Sequence, residues 1–252
     1  MDTIIENSCG ENLDYTFSPG EPALLCRRWI VILGHGVTGD KDRPLITDTA
    51  QALNEAGFDT LRFSFAGNGK SSGDFRDASI TKEVADLDSV ITAVCSSYPN
   101  ICYIGHSMGA AVGVIQAAQD TRIDALVSLA GMVNTKAFAE TEFGEETPES
   151  GCMWEDTDCP LSAVYMEDLC ETIQSVAPQA KQINIPWLLL HGSADDVVLP
   201  KDTEQVTQIK ANAVNAIYIE GADHSFNDPE HKAQLTAAVS TWLSEHTSSS
   251  SL

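Results

Sequence analysis

The sequence has no apolar run approaching the roughly 18 residues that a membrane-spanning helix needs, so no membrane span is expected. Its opening residues, Met1-Asp2-Thr3-Ile4-Ile5-Glu6, contain no basic stretch followed by an apolar one. No secretion signal is read there, and a cytoplasmic chain with reduced thiols is expected. Basic residues are scarce: 14 Lys and Arg stand against 37 Asp and Glu, a net charge of −23. Such a surface repels polyanions, which excludes nucleic acid and anionic membranes as expected partners. The seven cysteines, at 9, 26, 95, 102, 152, 159 and 170, form no CxxC pair. Cys95 and Cys102 sit in apolar patterns and read as small core residues. Cys152 and Cys159 are the two that an oxidising compartment could pair, and reduced thiols are expected instead. No cluster of His, Cys and carboxylate has metal-ligand spacing, and no dinucleotide fingerprint occurs. Gly67-Asn68-Gly69-Lys70-Ser71-Ser72-Gly73 lacks the glycine-to-lysine spacing of a phosphate cradle and reads as a tight loop after a strand. Neither metal nor cofactor is implied.

What is present is a composition of 43% hydrophobic and 20% charged residues, that of a globular chain able to bury a sizeable core. Apolar runs alternate with amphipathic stretches. Strands are expected at 29–33, 58–65, 101–104, 124–130, 186–190 and 216–219, with helices at 44–56, 79–96, 108–119, 201–210 and 229–245. Residues 1–25 are expected to add one or two antiparallel edge strands, best placed at Glu11 to Phe17, and the tail 247–252 is expected to be flexible. Continuous apolar strands alternating with helices predict an α/β fold, a mainly parallel sheet covered on both faces. The stretch between the strand near Gly131 and the one at Pro186 is too long for a plain connection. It predicts a core of residues 1–131 and 183–252 with an inserted lid at 132–182. From Ala137 to Ala180 there is no Lys or Arg, while Glu140, Glu142, Glu145, Glu146, Glu149, Glu155, Asp156, Asp158, Glu167, Asp168 and Glu171 are all acidic. This is either a solvated acidic surface or an acidic rim that disfavours anionic substrates or binds cations.

The strongest chemical signal is Gly105-His106-Ser107-Met108-Gly109, between the apolar run Ile101 to Ile104 and an alanine-rich helix. A serine in this strand–turn–helix setting is a nucleophile elbow, its hydroxyl raised at the edge of the sheet where open α/β folds bind ligands. A hydroxyl needs a base to attack. Of six histidines, His35 and His191 precede glycines at strand ends and suit loop hydrogen bonding, whereas the side chain of His106 is expected to point away from the serine. His231 and His246 lie on or beyond the last helix. His224, in Gly221-Ala222-Asp223-His224-Ser225-Phe226, follows a short strand and is the expected base. Asp195, in His191-Gly192-Ser193-Ala194-Asp195-Asp196, is the expected orienting carboxylate, with Asp196 as competitor. The order Ser, Asp, His along the chain agrees with this fold. Oxyanion donors are expected from the N–H groups of Met108 and of Val37, with Thr38 as the alternative; His35 and Gly36 line the same loop.

Taken in order, HG at 35–36, FSFAGNGKSSG at 63–73, GHSMG at 105–109, HGSADDVV at 191–198 and GADHSF at 221–226 resemble the α/β-hydrolase superfamily over nearly the whole chain. Within it the set is similar to small lidded bacterial carboxylesterases, of the feruloyl and cinnamoyl esterase type, and to monoacylglycerol-lipase-like enzymes. In that group an aromatic residue often follows the His-Gly pair; Val37 stands there here. The resemblance implies hydrolysis of a small-molecule carboxylic ester through an acyl-enzyme on Ser107. Trp154, Tyr165 and Met166 of the lid either contact substrate or pack the lid onto the body. Cleavage of amides by the same triad, and a non-catalytic binding role on the same fold, are the competing readings. Screening relieves self-repulsion on so acidic a surface. Activity is therefore expected to hold or rise from low to high salt, and a fall over a salt titration would count against that adaptation.

Overall fold

The computed structural model describes residues 3–21, 29–211 and 213–248; Cys26 and residues 22–25 and 249–252 lie outside that description. Along the chain come β1 (Tyr15–Ser18), β2 (Trp29–Gly34), α1 (Pro44–Glu55), β3 (Asp59–Phe63), α2 (Ile80–Val94), β4 (Asn100–His106), α3 (Met108–Gln119) and β5 (Ala125–Leu129). Then follow α4 (Thr135–Phe143), α5 (Ala163–Glu167), α6 (Ala177–Ala180), β6 (Trp187–Gly192), α7 (Lys201–Lys210), β7 (Asn215–Ile219) and α8 (Pro229–Ser248). The strands form one sheet in the order β1-β3-β2-β4-β5-β6-β7. Only β1 runs antiparallel, pairing Tyr15 with Phe63 and Ser18 with Thr60. The expected N-terminal edge strand is thus present, shifted toward Ser18, and Glu6 and Asn12 make one further antiparallel bridge.

The strands are unbroken apolar runs because helices cover both faces. Alternate side chains of β2, β4 and β6 enter two separate cores. Ile30, Ile32, Ile101, Tyr103 and Leu189 pack with α2 and α3. Val31, Leu33, Cys102, Ile104, Leu188 and Leu190 pack with α1 and α8. Helix α1 starts at Pro44, whose fixed φ suits a first turn, and buries Leu45, Ile46, Thr49, Ala50 and Leu53 on one stripe. Ser79 caps α2 by accepting from the Lys82 N–H. Parallel register places Gly34 beside Gly105, and His106 beside Leu129, so the C-terminal ends of the central strands share one rim. Helix α8 continues through Thr247 and Ser248, the first two residues of the tail expected to be flexible, and the rest of that tail lies outside the described residues; Trp242 packs against the sheet and stacks on His246 at 4.3 Å.

Between β5 and β6 the inserted segment forms α4, a short turn at Met153–Glu155, α5 with a π-helical extension at Asp168–Ile173, and α6. Its apolar residues Phe143, Met153, Leu161, Tyr165 and Leu169 join the same core as α2 and α3. Asp168 ties it down by accepting from the backbone N–H of Thr81 at 3.1 Å and from the Thr81 hydroxyl. Cys152 and Cys159 are free thiols, and the Cys159 thiol donates to Asp156 instead.

One buried group is costly. Both carboxylate oxygens of Glu83, in the first turn of α2, are buried without a hydrogen-bond partner. Burial, with Asp86 and Asp168 nearby, raises its pKa well above the ordinary glutamate value. The folded chain therefore holds the proton more tightly than the unfolded chain does. That contribution is fully present below the ordinary glutamate pKa and is lost as pH rises toward the raised value. Glu83→Gln is expected to raise Tm relative to wild type by about 2 °C or more at about pH 8, with a smaller gain at about pH 5. Scanning calorimetry at both pH values checks this, and an equal shift at the two would contradict it.

Candidate active site

The site is built where β4 meets α3. Ser107 adopts φ 54° and ψ −118°, a left-handed conformation that costs a non-glycine residue about 1–3 kcal/mol. The turn is held from two sides: the Ser107 N–H donates to Leu129 O at 2.9 Å, and Ser107 O accepts from the Met132 N–H at 3.1 Å. Gly105 is required by close approach, since a Cβ there would lie 2.2 Å from Gly109 O. Gly36 is required for the same reason on the neighbouring loop, where a Cβ would lie 2.9 Å from Ser107 Cβ. The loop after β2 therefore comes close to the serine at a residue without a side chain.

Three loops at the rim bring the expected residues together. His224 Nε2 lies 3.0 Å from Ser107 Oγ, and His224 Nδ1 lies 2.8 Å from Asp195 Oδ2. Asp195 is buried, and its Oδ1 accepts the N–H groups of Val197 at 3.0 Å and Val198 at 2.9 Å. Burial pushes this carboxyl upward. Hydrogen bonds from His191 and His224, with their attraction, outweigh burial and hold it well below the usual carboxylate range. Asp196 is exposed and makes no such contact. Asp223 caps its own loop, accepting from the backbone and side-chain N–H groups of Asn227 at 2.9 and 2.8 Å.

Met108 is the first residue of α3, so its N–H precedes the first intrahelical bond. Val37 lies in the loop packed on Ser107 and lines the same cavity, as do His35, Gly36 and Thr38. Two histidines do more than their position in the sequence suggests. His106 does not partner the serine hydroxyl, as expected, yet it does not leave the site. Its Nε2 N–H donates to the His224 backbone carbonyl at 3.0 Å, and its ring lies 4.9 Å from that of His224. His191, wholly buried, approaches Asp195 Oδ2 at 3.2 Å through Nε2, which also donates to Val198 O at 2.7 Å. Its Nδ1 takes the Thr203 hydroxyl at 2.8 Å. A histidine before a strand-end glycine was the only signal for this carboxylate support.

The cavity over Ser107 encloses about 310 Å³. Leu45 and Ile46 of α1, with Val37 and Val197, give it apolar walls. The inserted segment contributes Phe138 and Trp154. Trp154 takes a place at the cavity, one of the two alternatives expected for it; Phe138 was not singled out, and it stacks edge-on with Phe143 at 5.8 Å and Trp154 at 6.5 Å. Tyr165 and Met166 take the packing alternative. The Tyr165 ring is buried and its hydroxyl sits 3.6 Å from Met108 Sδ, while Met166 packs on the core.

Comparison with known proteins decides the family. The family model described as serine aminopeptidase, S33, matches residues 26–145 and 157–230. The chain belongs to this serine aminopeptidase S33 family of α/β hydrolases. Residues 146–156, which include Trp154 of the cavity wall, fall outside the match. Est1E of Butyrivibrio proteoclasticus, in a structure holding ferulic acid, superposes with a TM-score of 0.85 at 24% identity, over 96% of this chain and 98% of that one. A monoacylglycerol lipase of Paleococcus ferrophilus superposes with a TM-score of 0.75 at 23% identity, over 93% and 99%. In sequence, a monoglyceride lipase homolog of monkeypox virus is 22% identical over 95% of this chain and 98% of its own length. An Escherichia coli protein, described as an uncharacterized 31.7 kDa protein, is 28% identical over 56% of this chain and 50% of its own length.

Two neutral histidines frame the site. Burial lowers the pKa of His35 to about 4, and burial together with the nearby His224 lowers that of His106 to about 3. Both are neutral in the fold. Each contributes stability above the ordinary value of 6.5 that is lost as pH falls through its folded-state pKa. In an NMR titration of the ring protons, His35 and His106 are expected to stay neutral down to about pH 5. A midpoint near the ordinary histidine value for either would contradict the burial described here.

Proposed function

We propose that this chain hydrolyses carboxylic esters of small molecules through an acyl-enzyme on Ser107. The observation that carries the reading is the unbroken hydrogen-bond chain from Ser107 Oγ through the His224 ring to Asp195, at 3.0 and 2.8 Å. In this reading His224 Nε2 removes the hydroxyl proton as Ser107 Oγ attacks the ester carbonyl. Asp195 holds Nδ1–H and stabilises the imidazolium that forms. The developing oxyanion accepts from the N–H groups of Met108 and Val37, at the start of α3 where the helix field favours negative charge. His224 then protonates the leaving alcohol and, in the second half, takes a proton from water that attacks the acyl-enzyme. His106 is assigned a positioning role, since its bond to the His224 carbonyl fixes the loop from which the base projects.

The inserted segment 132–182 is read as a lid whose Phe138 and Trp154 close one wall over the serine. A cavity of about 310 Å³ suits a small substrate. The description serine aminopeptidase favours a second reading, cleavage of an amide beside a free amine. Against it, no Asp or Glu lines the cavity, so among the described residues nothing there offers a counter-charge to an ammonium group. The names of the two lipase relatives lean the same way, toward ester chemistry.

A panel of p-nitrophenyl esters, thioesters and aminoacyl anilides tests the choice. Ester turnover is expected to exceed anilide turnover. Ser107→Ala and His224→Ala are each expected to lower kcat by about 10³-fold or more with unchanged circular dichroism, and wild type is expected to label with a fluorophosphonate. Asp195→Asn is expected to lose most activity, whereas Asp196→Asn stays within about twofold of wild type. Substantial turnover by Ser107→Ala would refute the mechanism.

A further inference from the structure

The charge of the cavity runs opposite to the charge of the chain. Although Asp and Glu outnumber Lys and Arg by 37 to 14, the residues lining the space over Ser107 include Arg43 and Lys232 and no carboxylate. The acids of the inserted segment do not reach it; that segment presents only Phe138 and Trp154 there. His35 and His106 are held neutral by burial and add no charge at neutral pH. Lys232 is already balanced by Asp48 at 2.9 Å. Of the acids that precede Arg43 in the chain, Asp42 is shared by Lys41 and Arg62, and Asp40 accepts from the Asp42 N–H at 2.7 Å. Arg43 forms no ion pair among the described residues. Its Nη2 donates to Thr38 O at 2.9 Å, which seats the guanidinium on the loop that carries Val37. The first turn of α1, which also lines the cavity, has no acidic residue to oppose it.

Resting on the ester-hydrolase reading, we propose that the preferred substrates are esters with an apolar body and one anionic group, a carboxylate being the simplest, which Arg43 receives. A guanidinium with one N–H tied to a carbonyl keeps further donors in the planar arrangement that a carboxylate accepts in pairs. Leu45, Ile46, Val197, Phe138 and Trp154 supply apolar surface for the rest of the molecule. The strongly negative exterior does not preclude this, because at physiological salt charges beyond about 8 Å are largely screened while a contact at the cavity mouth is not.

The test uses ester pairs matched in size and differing in one charge. For the acyl side, 4-nitrophenyl pentanoate is compared with the 4-nitrophenyl half-ester of glutaric acid. For the alcohol side, 4-methylbenzyl acetate is compared with 4-carboxybenzyl acetate. In at least one pair the anionic ester is expected to have the higher kcat/KM, by about tenfold at low salt, which corresponds to about 1.4 kcal/mol. That advantage is expected to fall to near one in Arg43→Gln, which keeps a donor for Thr38 but loses the charge, and to survive in part in Arg43→Lys. The control Arg76→Gln removes a cation outside the cavity and is expected to leave the ratio as in wild type. If Arg43 serves only to hold its loop, Arg43→Gln slows both members of a pair equally, and that result overturns the proposal. Fluorophosphonate labelling and Ser107-dependent turnover with no anionic preference in either pair overturn it alone. No labelling and no turnover of any ester overturn the ester-hydrolase reading and this inference together.

Discussion

A buried carboxylate is the constraint on which the site depends. Asp195 can keep its charge inside the protein only because both of its oxygens are occupied: one by two backbone N–H groups, the other by two histidine rings. An uncompensated charge at that depth would be strongly destabilising. Satisfying it fixes the loop after β6, the ring of His191 beneath it and the tautomer of His224 above it. The His224 loop is pinned a second time by His106, which projects from the elbow itself. The serine and its proposed base are therefore held in register by bonds that reach around them as well as by the bond between them.

The elbow meets a complementary constraint, one of space. The left-handed backbone of Ser107 is tolerated because β4, β5 and the loop after β2 press on it from several sides, and because glycines stand where a methyl group would collide. Strain of this kind is supported by rigid neighbours. The central strands supply that rigidity, being apolar, fully buried and paired in parallel on both edges. The inserted segment is anchored in the same core, so its two aromatic contributions to the cavity stand on packed residues as well as on loop backbone. The charge arrangement follows the same division. Acids cover the exterior, and the cavity mouth keeps a cation, Arg43, that forms no ion pair among the described residues.

Much of this was legible in the chain before folding. Helices at Met108–Gln119 and Lys201–Lys210 fall where apolar periodicity put them, and the strands follow their apolar runs. The edge strand was displaced because short alternating segments fix their register through a partner, and the partner is Asp59–Phe63. Ser107, His224 and Asp195 could be picked out as residues that meet, because a serine, a histidine and an aspartate stand at the ends of particular strands. Phe138, His106 and His191 could not be picked out in their observed roles. A phenylalanine in an amphipathic stretch, or a histidine beside a glycine, looks the same whether it packs, supports or lines a cavity.

What the sequence determined alone was the alternation of strand and helix, the elbow and the order of the three chemical groups, because each is written in local periodicity and turn chemistry. The tertiary structure decided which aspartate faces the imidazole, which inserted residues line the cavity over the serine, and which lining cation forms no ion pair among the described residues. Those depend on distances between segments far apart in the chain, and such distances are set only when the two cores close on either side of the sheet.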